Sequence, residues 1–180
     1  NNPTGNLFSL EDVEKVVANV DCPVAIDEAY AEFSGIDHLH LAHKYPNVII
    51  LRTLSKFAGL AGIRVGYAIF PEDMVPYAAA AMPAFANISA LSAEIAIASL
   101  QDLDYLAAYR DAQVAERGRV TALLNEIPGV TAYPSSTNFV MFDLPGDDAT
   151  PVLEALKQRH IYVRHYGNAS WGLGGHLRVS

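Results

Sequence analysis

The amino-acid sequence predicts an α/β protein: the second half of a large domain with a mostly parallel sheet, followed by most of a smaller α+β domain. Three observations lead there. Short apolar runs of strand length, PVAID (23–27), NVIILR (47–52) and GYAIF (66–70), alternate with helical patterns, as strands covered on both faces do. A long helical pattern over residues 102–127 stops at Pro128-Gly129, a strong break signal. Beyond it the strand-like segments TAYP, NFVMFDL and IYVRHY surround a single helical stretch.

Taken in order, Ser9 followed by Asp12 resembles a capping box, and Val13, Val16, Val17 and Val20 recur at helical spacing, so a helix is expected over 10–20. A second helix is expected over 87–101, with Ile88, Leu91, Ile95 and Ala98 facing inward. The long pattern, with Leu103, Leu106, Val120, Leu123, Leu124 and Ile127 apolar, has the length of a bridge between domains. Pro151–His160 reads as a helix with Pro in its first turn, and LRVS as a closing strand. The expected organisation is therefore a large-domain half over 1–101, an interdomain helix over 102–127 and a small domain over 128–180.

Composition narrows the function. A chain of 180 residues with 51% hydrophobic content can bury a core of one domain or two small ones. A net charge of −8, from 12 basic against 20 acidic residues, argues against nucleic acid and for a small-molecule partner. Cys22 is the single cysteine and cannot form an internal disulfide, which favours a reducing compartment, with the cytoplasm as the expectation. Residues 74–93 carry no charge, but Pro76, Pro83, Asn87 and several Ser interrupt them, against a membrane span. With no initiator Met, a turn-rich start at NNPTG and a strand-like end at HLRVS, the sequence reads as the middle and later part of a longer protein, leaving room for a targeting peptide ahead of it.

The chemistry lies at strand ends. Asp27 closes PVAID and is followed by Glu28, Ala29 and Tyr30, at the carboxyl edge where open α/β sheets bind ligands. Lys56 emerges just past the next strand, in TLSKFAGLAGIRVGY (53–67), between the hydroxyls of Thr53 and Ser55 and the guanidinium of Arg64. Together with Asn2 these residues specify a ligand needing a phosphate clamp, a carboxylate partner and an amine nucleophile. Pyridoxal 5′-phosphate meets that specification: a lysine amine condenses with its aldehyde, hydroxyls and an arginine hold its phosphate, and an aspartate pairs with its ring nitrogen. Each residue also has a structural reading: a solvated charge for Lys56, an ion pair for Arg64, a cap of the following segment for Asp27, an Asn-Pro turn for Asn2 and core filling for Tyr30. His38, His40 and His43 resemble a metal cluster, but their spacing does not put all three on one face, so no metal site is expected. Gly59, Gly62 and Gly66 lack the strand-to-helix setting of a dinucleotide fingerprint.

In order and spacing, NNPTG (1–5), AIDEAYAEF (25–33) and TLSKFAGLAGIRVGY (53–67) resemble the fold type I aminotransferases of class I/II, most closely the histidinol-phosphate aminotransferase branch. STNFVMF (136–142), IYVRHY (161–166) and HLRVS (176–180) look like that branch's small domain. The resemblance implies that Lys56 carries the cofactor and later moves the substrate's proton, and that Asp27 keeps the ring nitrogen protonated. By the same resemblance Asn2 and Tyr30 bond the cofactor's phenolic oxygen, and Thr53, Ser55 and Arg64 hold its phosphate. It also implies that Arg178 receives the substrate carboxylate and Arg164 a substrate phosphate, with Asn138 in the matching segment. The implied activity is a ping-pong transfer between an amino donor such as histidinol phosphate and a 2-oxo acid, 2-oxoglutarate, by a homodimer. Remaining cofactor contacts would lie outside the sequence, so this stretch alone is expected to be inactive. The alternatives are a decarboxylase of a phosphorylated amino acid, an aromatic aminotransferase, and an aminotransferase-like regulatory or binding domain.

Overall fold

A computed structural model describes residues 1–82, 87–167 and 171–180. The chain divides into two compact units, one of Phe8–Arg110 and one joining Asn1–Leu7 to Asp111–Ser180.

In the first unit, α1 (Leu10–Ala18) starts where Ser9 Oγ accepts from Asp12 N at 3.1 Å, the cap the sequence suggested. It stops at Ala18, short of the expected residue 20, because Asn19 caps it and its side chain donates to Lys15 O at 2.7 Å. Val17 is buried and Val13 packs beside it, whereas Val16 is exposed. Positions four apart share a helix face; Val16 lies about 100° away from Val17.

β1 (Val24–Asp27) pairs in parallel with β2 (Val48–Thr53), which pairs antiparallel with β3 (Gly66–Ile69). A short helix α2 (Ala31–Ser34) follows β1, and α3 (Leu39–Lys44) precedes β2. Val48 and Ile50 point to one face and close a core with Val17 and Leu41, against which Ile26 and Ile69 pack. Alternation sends Ala25, Asp27 and Leu51 to the other face, where they are exposed. The expectation of strands buried on both faces therefore holds for one face only, since the α1 and α3 residues of the core, Val17 and Leu41, pack on that side.

α4 (Val75–Ala81) has Pro76 in its first turn; Pro83 lies outside the described residues. The second helix is α5 (Ala90–Leu100), begun by Ser89 Oγ accepting from Ser92 N at 3.0 Å. Its inward face is not the expected one. Ala96 is its buried residue, Ile95 is half-buried, and Ile88, Leu91 and Ala98 are exposed, Leu91 to 71%. A helix apolar nearly all round offers no contrast from which a face can be read. α6 (Leu103–Asn125) is one continuous helix ending ahead of Pro128-Gly129. Leu106 is buried and Val120 and Leu124 partly so, while Leu103, Leu123 and Ile127 are exposed. Among the described residues no helix is long and apolar enough to cross a membrane.

The second unit is an antiparallel sheet in the order β4 (Thr131–Ala132), β5 (Val140–Asp143), β7 (His176–Val179), β6 (Arg164–His165). Its core gathers Ala132, Val140, Phe142, Ala149 and Leu177, with Leu153 and Leu156 of α7 (Thr150–Lys157) packed against it. The helix expected to reach His160 ends at Lys157, and His160 takes a left-handed backbone with φ 61°. Residues 1–7 belong here: Ser136 N donates to Gly5 O at 2.8 Å, and a Cβ on Gly5 would lie 2.6 Å from Ser135 Oγ.

Glu32 of α2 supplies a test of packing in the first unit. Burial, helped by the charge of Glu28 and opposed by a backbone hydrogen bond and Arg52, holds its carboxyl above the ordinary 4.5. The folded state then binds that proton more tightly than the unfolded chain, so the stability Glu32 contributes is present below its unfolded value and lost as the pH rises through the folded one. Glu32→Gln in the full-length protein is expected to raise Tm at about pH 7.5 and to leave it unchanged near about pH 4, read by thermal melts at both.

Candidate functional site

The first unit presents its chemistry from the ends of β1 and β2. Asp27 stands on the exposed face of the sheet, its Oδ1 accepting from Ala29 N at 3.0 Å, a local turn that holds the carboxylate at the strand end. Thr53 ends β2; its Oγ1 accepts from Ser55 N at 3.0 Å. The loop that follows closes on itself, with Leu54 N donating to Val65 O and Leu60 N to Leu54 O, both at 3.1 Å, around the buried Leu54 side chain. Lys56 is half-buried on this loop, its ammonium 5.7 Å from the centre of the Tyr30 ring. Among the described residues it has no carboxylate partner. Arg64 is exposed, in a left-handed backbone at φ 58°, with Nη1 donating to Ala61 O at 3.0 Å. It makes no ion pair among the described residues.

The structure thus brings Asp27, Tyr30, Thr53, Ser55, Lys56 and Arg64 into one unit. Behind them lies a group that sequence reading did not find. Glu28 is buried, its Oε2 accepting from Arg52 Nε at 2.9 Å and Nη2 at 2.7 Å, and its Oε1 from His38 N at 2.5 Å. His38 Nδ1 lies 3.1 Å from the same oxygen, and His38 Nε2 is buried without a partner among the described residues. His40 and His43 are exposed, so the three histidines do not share an environment. Among the described residues no group of three or more His, Cys, Asp or Glu is placed to hold a metal.

The second unit holds Asn2, Arg164 and Arg178. Arg164 and Arg178 are direct cross-strand partners of β6 and β7. Arg178 Nη1 donates to Asn2 Oδ1 at 2.7 Å, and Tyr166 OH donates to the same oxygen at 3.4 Å. The Arg178 guanidinium lies 4.6 Å from the Phe139 ring centre and 5.8 Å from that of Tyr166; Arg164 lies 5.9 Å from Tyr166. Arg178 Nε is buried without a hydrogen-bond partner among the described residues. Like charges directly opposite one another in a sheet repel, so this pair is unfavourable by itself. Phe139 and Tyr166 were missed in the sequence. The signal was there in part: Tyr166 lies two residues after Arg164 in an extended run, hence on its face. Asn138 is half-buried beside Phe139.

An α/β unit with this loop after its second strand, joined through a long helix to an antiparallel unit, has the fold of the type I pyridoxal-phosphate-dependent transferases. The chain belongs to the family of class I and II aminotransferases, whose model matches residues 1–180. It is 41% identical over 182 residues to histidinol-phosphate aminotransferase 1, chloroplastic, from Arabidopsis thaliana, covering 100% of this chain and 43% of that protein. The crystal structure of histidinol-phosphate aminotransferase from Sinorhizobium meliloti in complex with pyridoxal-5′-phosphate superposes with TM-score 0.87 at 30% identity, over 99% of this chain and 50% of that one. A decarboxylase from Sulfurospirillum multivorans superposes with TM-score 0.84 at 29% identity, over 100% of this chain and 54% of that one. The chain spans about half the length of the curated relatives it matches.

Gly66 tests how the loop is anchored. It faces Thr53 across the β2–β3 ladder, and a Cβ there would lie 2.9 Å from Arg52 O, a backbone atom that cannot swing aside. Gly66→Ala is expected to cost about 1–3 kcal/mol in urea unfolding of the full-length protein.

Proposed function

We propose that the full-length protein is a pyridoxal-phosphate-dependent aminotransferase, moving an amino group between histidinol phosphate, or a similar amine, and 2-oxoglutarate in two half-reactions. The observation that supports this reading most is the self-closed loop after β2, which carries Thr53, Ser55, Lys56 and Arg64 in the same unit as the exposed Asp27 carboxylate, with the Lys56 amine 5.7 Å from the Tyr30 ring centre. The donor set fits the cofactor: two hydroxyls and a guanidinium for a phosphate, a carboxylate for a ring nitrogen, a phenol at Tyr30 for a ring oxygen, and an amine without a carboxylate partner among the described residues. When bound, pyridoxal phosphate supplies an aldehyde carbon open to amines and a ring that draws electrons from the substrate's Cα. Lys56 anchors it and carries the proton to and from substrate. Asp27 holds positive charge on the ring nitrogen. Arg178, steadied by Asn2 and by the Phe139 and Tyr166 rings, receives the substrate carboxylate where there is one, and Arg164 beside it receives a phosphate.

This assignment goes with a large-domain half over 1–101, an interdomain helix over 102–127 and a small domain over 128–180. It also goes with a homodimer as the working unit and a reducing compartment such as the cytoplasm, in keeping with the exposed, unpaired Cys22. A decarboxylase of a phosphorylated amino acid is the second reading, favoured by the likeness to the Sulfurospirillum multivorans structure.

Two experiments test the proposal. Borohydride reduction of the cofactor-loaded full-length protein is expected to fix the label to Lys56 in peptide mapping; a label on Lys15, Lys44 or Lys157 would overturn the assignment. Substrate class is read from the arginines. Arg164→Ala is expected to lower kcat/KM for histidinol phosphate by about ten- to a hundredfold while sparing glutamate, and Arg178→Ala to damage both half-reactions. Equal losses in the Arg164 variant would favour a general amino-acid aminotransferase, and release of carbon dioxide from a phosphorylated amino acid would favour the decarboxylase.

A further inference from the structure

Strand alternation places two sets of residues back to back at the ends of β1 and β2. Asp27 and Thr53 lie on the exposed face. Glu28 and Arg52, each their immediate neighbour, continue the covered face that Ile26 and Ile50 define. There the Glu28 side chain is 3% exposed and that of Arg52 19% exposed, and two guanidinium N–H groups meet one carboxylate oxygen. The second carboxylate oxygen takes the backbone N–H of His38, the residue that caps the start of α3. The Glu28 main chain extends the parallel ladder one step past Asp27, its N donating to Leu51 O at 2.9 Å, and its carbonyl accepts from Ala31 N of α2 at 3.1 Å. Arg52 is in turn the cross-strand partner of Tyr67 on β3. One carboxylate therefore ties the end of β1, the end of β2 and the start of α3 directly behind Asp27 and Thr53.

We infer that Glu28 and Arg52 are positioning residues: their buried ion pair sets where Asp27 and the Thr53–Lys56 turn stand relative to one another, and hence how firmly the cofactor is held. The inference rests on the cofactor reading above. A buried ion pair is a poor device for stability alone, because apolar residues of similar volume serve that purpose as well or better. What it supplies is direction. A fork meeting a carboxylate fixes both partners' orientation, which packed methyl groups do not. The need is specific to these strand ends, where the chain leaves the ladder and turns away on both strands. The charges also balance: Arg52 neutralises a second carboxylate placed next to Asp27 in sequence, and alternation keeps the two carboxylates on opposite faces.

The test uses the full-length protein with three changes: Glu28→Gln, Arg52→Lys, and the double change Glu28→Leu with Arg52→Met, which refills the space without charge. Hydrogen exchange on the cofactor-free protein is expected to quicken in residues 25–31 and 52–58 in all three. The dissociation constant for pyridoxal phosphate, titrated by absorbance on folded protein, is expected to rise about ten- to a hundredfold, the scale of one lost charge-assisted hydrogen bond to the cofactor. The double variant separates positioning from support: it is expected to keep the parent's Tm and still lose cofactor affinity. Arg52→Lys keeps the charge without the fork and serves if Glu28→Gln does not fold. Parent-like exchange and affinity in the variants, with only Tm lowered, would overturn the inference. A parent protein that binds no pyridoxal phosphate would sink the cofactor reading instead, while the exchange measurement would still decide whether the pair braces the strand ends.

Discussion

The parallel pairing of β1 with β2, in the register that sets Asp27 against Leu51, is the constraint on which the first unit depends. Because side chains alternate, that register decides which residues face the core and which face outward, and a slip of one position would exchange them. As it stands, Ile26, Ile50, Glu28 and Arg52 share the covered side, and Asp27 and Thr53 the open side. The apolar residues hold the register by burial. The polar residues at the strand ends then inherit their positions from it. Asp27 is held on the open side because Ile26 packs against the core beside it.

The second unit solves a different problem with the same geometry. Antiparallel pairing of β6 with β7 makes Arg164 and Arg178 direct neighbours, which by itself is unfavourable. The surroundings make the arrangement tolerable: Asn2 offers Arg178 a neutral oxygen, and Phe139 and Tyr166 offer ring faces to the cations. Leu177, fully buried between the two positions His176 and Arg178, anchors β7 in the core so that Arg178 is held on the opposite side. The cost of gathering two cations is met by the fold, and the Nε of Arg178 remains without a hydrogen-bond partner among the described residues.

What was legible in the sequence follows from which signals are local. The strands of the first unit were found within a residue because apolar runs between turn residues mark themselves, whereas of the run IYVRHY only Arg164–His165 is a strand; Ser9 and Pro128-Gly129 mark helix ends by their own backbone chemistry. Asp27, Lys56, Arg64 and the late arginines stood out as candidates because each sits in a motif of fixed spacing. The inward face of α5 was not, since an almost wholly apolar helix has no periodic contrast, and its exposed Leu91 looks in sequence like any core leucine. Nor could any local pattern announce that Gly5 packs against Ser135 and Ser136, or that Glu28, His38 and Arg52 meet across 10 and 24 residues. Same-face parity on two neighbouring strands was the available clue for the last of these, and it becomes usable only once the register is known.

Charge distribution links the composition to the chemistry. A chain with net charge −8 does not attract anions as a whole, so any grip on an anionic cofactor or substrate has to be local. The ion pairs show how this is arranged. Lys15 sits against Glu11, Lys44 against Glu14, Arg119 against Glu116, Lys157 against Glu154, and Arg52 against Glu28. Lys56, Arg64, Arg164 and Arg178 have no carboxylate partner among the described residues; they meet rings, a backbone carbonyl and an amide oxygen. A carboxylate beside any of these four would compete with a phosphate for the same donors, and an excess of acidic residues makes such competition the default on an ordinary surface. Keeping these cations among neutral partners leaves their hydrogen-bonding capacity uncommitted to carboxylates, in a chain whose acidic residues outnumber its basic ones.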